Sequence, residues 1–145
     1  MKVVLQRVSR ASVRVNGAII ASINKGILLL VGIHKDDTAE MAEFLAAKCA
    51  DLRIFSDTEG KMNLSLKEVN GEALVVSQFT LFGDCSKGRR PSFIDAAPPE
   101  KGRALYEHFV VELKKQTSRV DTGIFGAMME VELVNDGPVT LILEK

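Results

Sequence analysis

Tryptophan is absent from this 145-residue sequence and tyrosine occurs once, at Tyr106, so few flat rings are available on which a run of bases would stack. Neither sign of charge dominates. Nineteen basic residues face nineteen acidic ones, which leaves no global positive field to gather nucleic acid and confines any RNA contact to a local patch. DNA is not expected as a partner. Cys49 and Cys85, the two cysteines, lie far apart with neither zinc-site nor redox spacing, so both read as reduced thiols and no disulfide framework is expected. No apolar run reaches membrane-spanning length, and Met1 to Val15 alternates charged and apolar residues where a signal peptide would be continuously apolar. These absences point to the cytoplasm and away from a membrane.

The familiar hydrolytic constellations are missing as well. There is no Gly-x-Ser-x-Gly elbow, and the histidines, His34 and His108, show no metal-ligand spacing. No metal and no cofactor is expected. Asp84, Asp95 and Asp136 read as ordinary loop carboxylates.

What is present reads as a β-meander followed by further strands and two helices. Lys2 to Val8 and Ala11 to Val15 are strand-like, and Asn16-Gly17 is a strong hairpin turn before Ala18 to Ile23. Ile27 to Ile33 is apolar throughout, which predicts a central strand buried on both faces. Asp37 with Glu40 forms a plausible capping pair, after which Met41, Phe44, Leu45 and Cys49 recur at helical spacing through Ala50. Leu52 to Phe55 and Glu72 to Ser77 read as strands. Pro99 suits a helix start, with Leu105, Tyr106, Phe109, Val110 and Leu113 on one face. Val120 to Gly123, Ala127 to Val134 and Val139 to Leu143 read as the closing strands. The length fits one domain, residues 1–145. The expected fold is α+β: a mostly antiparallel, curved or barrel-like sheet with two main helices.

Three stretches carry chemistry. Asn135-Asp-Gly-Pro-Val-Thr140 interrupts two strand-like runs; general turn chemistry makes it a hairpin, whereas the restricted Gly137-Pro138 backbone would also serve as a stiff support for exposed carbonyl oxygens. Ser77-Gln-Phe-Thr-Leu81 ends a buried strand. Gly83 to Pro99 is a long loop rich in glycine, proline and charge, in which Lys87, Arg89 and Arg90 are either a solvated surface or a clamp for phosphates.

Together the Ser77 and Asn135 stretches resemble the paired signatures of the D-aminoacyl-tRNA deacylases, the D-tyrosyl-tRNA deacylase family. The resemblance continues through Gln6-Arg7-Val8, Leu52-Arg-Ile-Phe55, Gly60-Lys-Met-Asn63, Lys87-Gly-Arg-Arg-Pro-Ser-Phe93 and Gly123-Ile-Phe-Gly-Ala-Met128, nearly the whole chain. It implies a homodimer with active sites at the subunit interface, in which a cis Gly137-Pro138 from one subunit enters the site of the other and obstructs an L side chain. It further implies that Arg7 holds that element, that Asn135, Thr140, Phe125, Gly126, Ala127 and Met128 support the site, and that Ser77, Gln78, Phe79 and Thr80 form the catalytic segment. The implied substrates are D-aminoacyl-tRNA and glycyl-tRNA, with L-aminoacyl-tRNA rejected, a chiral proofreading step in translation.

An aminoacyl ester is already activated, so a sparse site that positions water and stabilises an oxyanion through backbone N–H groups near Phe79 and Thr80 would suffice. Thr80 has two readings, a nucleophile or a positioning group; no base is evident to activate it. Two alternatives stand beside the leading one: a related deacylase with a trans Gly-Pro that accepts some L substrates, and a non-catalytic module binding the tRNA end through Lys87, Arg89 and Arg90.

Overall fold

The computed structural model describes residues 1–145. In chain order the strands and helices are β1 (Lys2–Val15), β2 (Ala18–Ile23), β3 (Gly26–Gly32), α1 (Ala39–Asp51), β4 (Phe55–Ser56), β5 (Met62–Leu64), β6 (Glu72–Ser77), α2 (Pro99–Lys114), β7 (Val120–Thr122) and β8 (Glu130–Glu144).

The long first strand organises the sheet. Along one edge it runs antiparallel to β8 from Lys2 opposite Glu144 to Arg14 opposite Glu130. Its other edge is divided: Lys2 to Val8 pair with β3, and Ala11 to Val15 pair with β2 across the Asn16-Gly17 turn, whose two residues have the positive φ of 51° and 79° that this turn requires. The period-two alternation of β1 also changes phase. Val3 and Leu5 face one core, but Val8, Ala11 and Val13 face another, and the ladder to β8 shifts register between Val8 and Arg10. A bulge therefore lets a single strand serve two cores.

The remaining pairs, β3 with β6 and β6 with β7, are parallel. Parallel neighbours need a crossover; α1 lies in the first crossover and α2 forms the second. The sheet is thus mixed, antiparallel around β1 and parallel beyond β3. It curls until β2 approaches the start of β7, where Arg119 Nη2 donates to the Ser22 carbonyl at 2.9 Å and Ser22 N–H donates to Asp121 at 3.4 Å. This nearly closes a barrel. Inside it sit Val8, Val13, Ile23, Leu28, Leu74 and Val76. The opposite face, with Leu5, Ile27, Leu29, Val31 and Val75, is covered by Leu45 and Cys49 of α1 and by Tyr106, Phe109 and Leu113 of α2. Burying each large aliphatic or aromatic chain here contributes about 1.5–3 kcal/mol.

Several sequence expectations need correction. Asp37 does not cap α1: Thr38 holds the cap position, and Asp37 is buried, accepting from His34 N–H at 2.7 Å. The buried face of α1 is Ala42, Leu45, Ala46 and Cys49, whose small alanines bring the helix close to its neighbours, while Phe44 points outward under the Lys145 ammonium at 4.9 Å. Leu52 to Ile54 are not a strand; only Phe55–Ser56 pairs, in a separate small hairpin with β5. Most consequentially, Asn135–Thr140 is not a hairpin turn. β8 continues through it, bulging without breaking.

Candidate active site

β6 delivers the Ser77–Thr80 segment to the end of the sheet. Ser77 is still in register with Val31, and Gln78 N–H donates to the Val31 carbonyl at 2.8 Å. The chain then turns through one short 3-10 helix, Phe79–Phe82, closed by a bond from Gly83 N–H to the Thr80 carbonyl at 2.9 Å. At the start of such a turn the first N–H groups have no partner within the helix, and these belong to Phe79 and Thr80. Gln78 Nε2 donates to Thr80 Oγ1. An amide is not a base, so this contact orients the hydroxyl without activating it.

The facing wall is the connection from β7 to β8, fixed by Gly123 N–H to the Val75 carbonyl at 3.0 Å and Ala127 N–H to the Ile124 carbonyl at 3.1 Å. Between them lies a groove of about 430 Å³ lined by Val76 to Thr80, Phe125 to Met129 and Val131. Ser77, Gln78, Phe79 and Thr80 thus meet Phe125, Gly126, Ala127 and Met128 across one cleft. Val76, Met129 and Val131 complete the lining, and nothing in the sequence beyond strand alternation singles them out. No titratable side chain lines this groove. Behind the wall, the Phe125 ring packs 5.8 Å from that of Tyr106 and under the Arg103 guanidinium at 5.0 Å. The Tyr106 hydroxyl in turn donates to the Val75 carbonyl at 2.9 Å, and burial raises its pKa above the ordinary phenol value.

Gly137 and Pro138 lie in a second cluster and do not line that groove. Val8 pairs with Asn135 and Gln6 with Thr140, so Arg7 alone stands opposite Asp136, Gly137, Pro138 and Val139, a wide bulge in β8. Side chains close it. Asn135 Nδ2 donates to the Arg7 carbonyl at 2.9 Å and to the Val139 carbonyl at 3.0 Å, while Thr140 Oγ1 meets Asn135 Oδ1 at 3.4 Å and accepts from Gln6 Nε2 at 3.2 Å. The Arg7 side chain, only 11% exposed, donates through Nε to the Asp136 carbonyl at 3.2 Å and through Nη1 to the Ile54 carbonyl, and it forms an ion pair with the Asp136 carboxylate at 3.1 Å. The Leu52–Phe55 motif marked this last segment, but not its backbone oxygen as the anchor. Gly137 has φ +119°, and a Cβ there would stand 2.6 Å from Arg7 Nη2; glycine is required both for the conformation and for the approach. The Gly137-Pro138 bond is cis.

Lys87, Arg89 and Arg90 occupy a third place, an exposed loop pinched at its base by paired backbone bonds between Asp84 and Ser92 at 2.8 and 2.9 Å. None of the three takes part in an ion pair. Hydrogen bonding by Ser86 holds the Asp84 carboxyl below its usual pKa, and Lys35 does the same for Asp95.

The histidines lie elsewhere. The His34 ring packs against Phe82 at 5.2 Å. His108 on α2 meets Glu43 of α1 at 3.0 Å and, with Glu112, brings three ligand-type atoms within 4.8 Å of one another. Lys115 already neutralises Glu112 at 2.6 Å.

Comparison with known proteins adds the following. A family model described as D-Tyr-tRNA(Tyr) deacylase matches residues 4–144. A protein from Dictyoglomus turgidum named D-aminoacyl-tRNA deacylase is 59% identical over 144 residues, covering 99% of this chain and 92% of its own. One of the same name from Thermotoga petrophila is 58% identical over 144 residues, covering 99% and 97%. Among solved structures, the c-Myc DNA Unwinding Element Binding Protein superposes with a TM-score of 0.95 at 42% identity, over 100% of this chain and 99% of that one. A probable eukaryotic D-amino acid tRNA deacylase superposes with a TM-score of 0.84 at 21% identity, over 98% and 97%, a likeness of fold.

Proposed function

The chain belongs to the D-Tyr-tRNA(Tyr) deacylase family and is a D-aminoacyl-tRNA deacylase, a carboxylic ester hydrolase; from that premise we propose how its groove works. The carrying observation is that the cleft between Ser77–Thr80 and Phe125–Met128 contains no titratable side chain. Such a cleft suits a reaction whose acid and base are not protein side chains. Water adds to the ester carbonyl carbon, backbone N–H groups of Phe79 and Thr80 stabilise the resulting oxyanion, and the C–O bond to the ribose breaks as the ribose oxygen takes up a proton. The neighbouring ribose hydroxyl of the terminal adenosine orients the water. Ser77, Gln78 and Thr80 shape the pocket and position groups, and no acyl-Thr80 intermediate forms.

D and L esters carry identical substituents, so selection is geometric. Gly137 and Pro138 stand outside their own chain's groove, on an exposed bulge held by Arg7, Asn135 and Thr140. In a homodimer the bulge of one subunit enters the groove of the other, where its carbonyl oxygens hold the amine and occupy the space an L side chain would need. The unpaired outer edge of β8, with Val134, Leu141 and Ile142 exposed, supports the dimer reading, since a long apolar edge strand is a pairing surface. Residues 1–145 act as one deacylase domain, working on tRNA in the cytoplasm. Lys87, Arg89 and Arg90 contact phosphates of the acceptor end; reversing Arg89 and Arg90 should flatten the salt dependence of binding by roughly 0.7–0.9 per lost contact.

The test uses one tRNA body carrying D-Ala, Gly or L-Ala under single-turnover conditions with chelator present. D-alanyl and glycyl esters are cleaved at comparable rates and the L-alanyl ester survives. A glycyl ester as resistant as the L-alanyl one would replace exclusion by a side-chain pocket. Absence of any turnover would leave the chain a binding module.

A further inference from the structure

Two phenylalanine rings beside the groove have no part in the mechanism above. Phe79 belongs to the segment that lines the cleft and is 58% exposed, and Phe93, outside the lining and 38% exposed, meets its ring edge to face with ring centroids 5.1 Å apart at 66°. The pair is built rather than accidental. The Phe93 ring packs so closely on the Gly83 backbone that a Cβ at that glycine would lie 2.9 Å from Cε1. The paired backbone bonds between Asp84 and Ser92 deliver Phe93 to this spot at the end of the basic loop. Ile94, next in sequence, is 77% exposed. In an edge-to-face pair one ring keeps a flat face free, and here that apolar platform adjoins three cations that lack acidic partners. Exposed rings bordered by unpaired cations match a single-stranded nucleic acid, whose bases stack while its phosphates meet the charges. They match a protein partner less well, since an apolar partner would leave the cations unanswered.

We propose that Phe79 and Phe93 form a stacking platform for the nucleobase preceding the terminal adenosine in the unpaired 3′ end of the tRNA. The inference rests on the reading that the terminal adenosine ester occupies the groove, because only then does the adjacent base fall on the platform. Phe93 anchors the platform and Phe79 joins it to the cleft, so the platform senses whether an unpaired nucleotide precedes the reacting one. It gives the enzyme a preference for an extended single-stranded end over a short aminoacyl nucleotide without reading base identity.

The experiment measures binding to an uncharged RNA minihelix ending in single-stranded ACCA and to the same RNA with an abasic penultimate position. The wild-type protein should bind the abasic RNA about tenfold to a hundredfold more weakly. Phe93→Leu, which keeps an apolar group packed on Gly83 but removes the ring, should bind both RNAs alike, and Phe93→Tyr should restore the difference. The platform is overturned if wild-type protein does not distinguish the two RNAs, or if Phe93→Leu distinguishes them as wild type does. It is equally overturned if Phe93→Leu changes the oligomeric state, which would make the pair a subunit contact. Cleavage of D-alanyl-tRNA by wild-type protein, run alongside, separates failure of this inference from failure of the deacylase reading.

Discussion

The bulge at Gly137-Pro138 and the groove at Ser77–Thr80 are built by opposite means. Side chains hold the bulge: Arg7 bonds Asp136 and Ile54, Asn135 bonds the carbonyls of Arg7 and Val139, and Thr140 and Gln6 close the ring. The groove owes its shape to main chain, with Gln78 on Val31, Gly83 on Thr80 and Gly123 on Val75. A surface that must exclude one enantiomer needs fixed carbonyl positions, and fixing them takes many bonds. Donors for a developing oxyanion need only the geometry of a strand end. The two regions should therefore differ in their response to substitution: steep at the bulge, shallow at the groove.

Arg7→Ala should be the most damaging single change. It leaves the buried Ile54 carbonyl without its charged donor and removes the bond to the Asp136 carbonyl, so stability should drop by about 3 kcal/mol, read as a fall in the urea midpoint, with loss of discrimination between D- and L-alanyl esters. Arg7→Lys should rescue little, since a point charge does not reproduce the fork that reaches both acceptors. If Arg7→Ala were as stable as wild type, the bulge would be held by something else. Gly137→Ala comes next, at about 1–3 kcal/mol, because φ +119° and the 2.6 Å approach to Arg7 Nη2 both disfavour a methyl group. Combined with Arg7→Ala, its cost should shrink, and a double-mutant cycle reads that coupling.

At the groove, Thr80→Ala should stay within about 0.5 kcal/mol of wild-type stability, and it should slow single turnover far less than removal of a covalent nucleophile would. A trapped acyl-Thr80 would contradict it and bring the groove closer to the bulge in its dependence on side chains. The smallest effect concerns pH. With no titratable group in the lining, the single-turnover rate should show no enzyme-derived bell between about pH 6 and 8.5, only the monotonic dependence of the hydrolysis itself. A bell in that range would place a titratable side chain in the reaction after all.

Much of this was legible in the sequence. Uniform apolarity in Ile27–Ile33 does mean burial on both faces, Asn16-Gly17 is a hairpin, Pro99 opens α2, and the strand ending at Ser77 does present the following segment at a strand end. The continuity of β8 was not legible, because Gly137-Pro138 has the local chemistry of a turn and only pairing with Gln6 and Val8, some 130 residues away in the chain, carries the strand past it. Nor was the phase change in β1, where two cores compete for one strand. Helical spacing found α1 but chose Phe44 over Ala42, since hydrophobicity alone cannot tell a residue that fills space from one small enough to permit close contact.

The ladder on either side of the bulge is fixed separately, by Gln6 with Thr140 and onward to Lys2 with Glu144, and by Val8 with Asn135 and Ala11 with Leu133. A residue added or removed between Asn135 and Thr140 would therefore leave both halves aligned, because neither takes its alignment from the other across the insert. Elsewhere in a strand the same edit would slide every later side chain to the wrong face. The alignment of the sheet is thus set independently of the carbonyl positions in Asp136–Val139: the bulge's own shape depends on Arg7, Asn135 and Gly137, but altering it leaves the strands on either side in place, so a changed stereochemical preference need not disturb the fold.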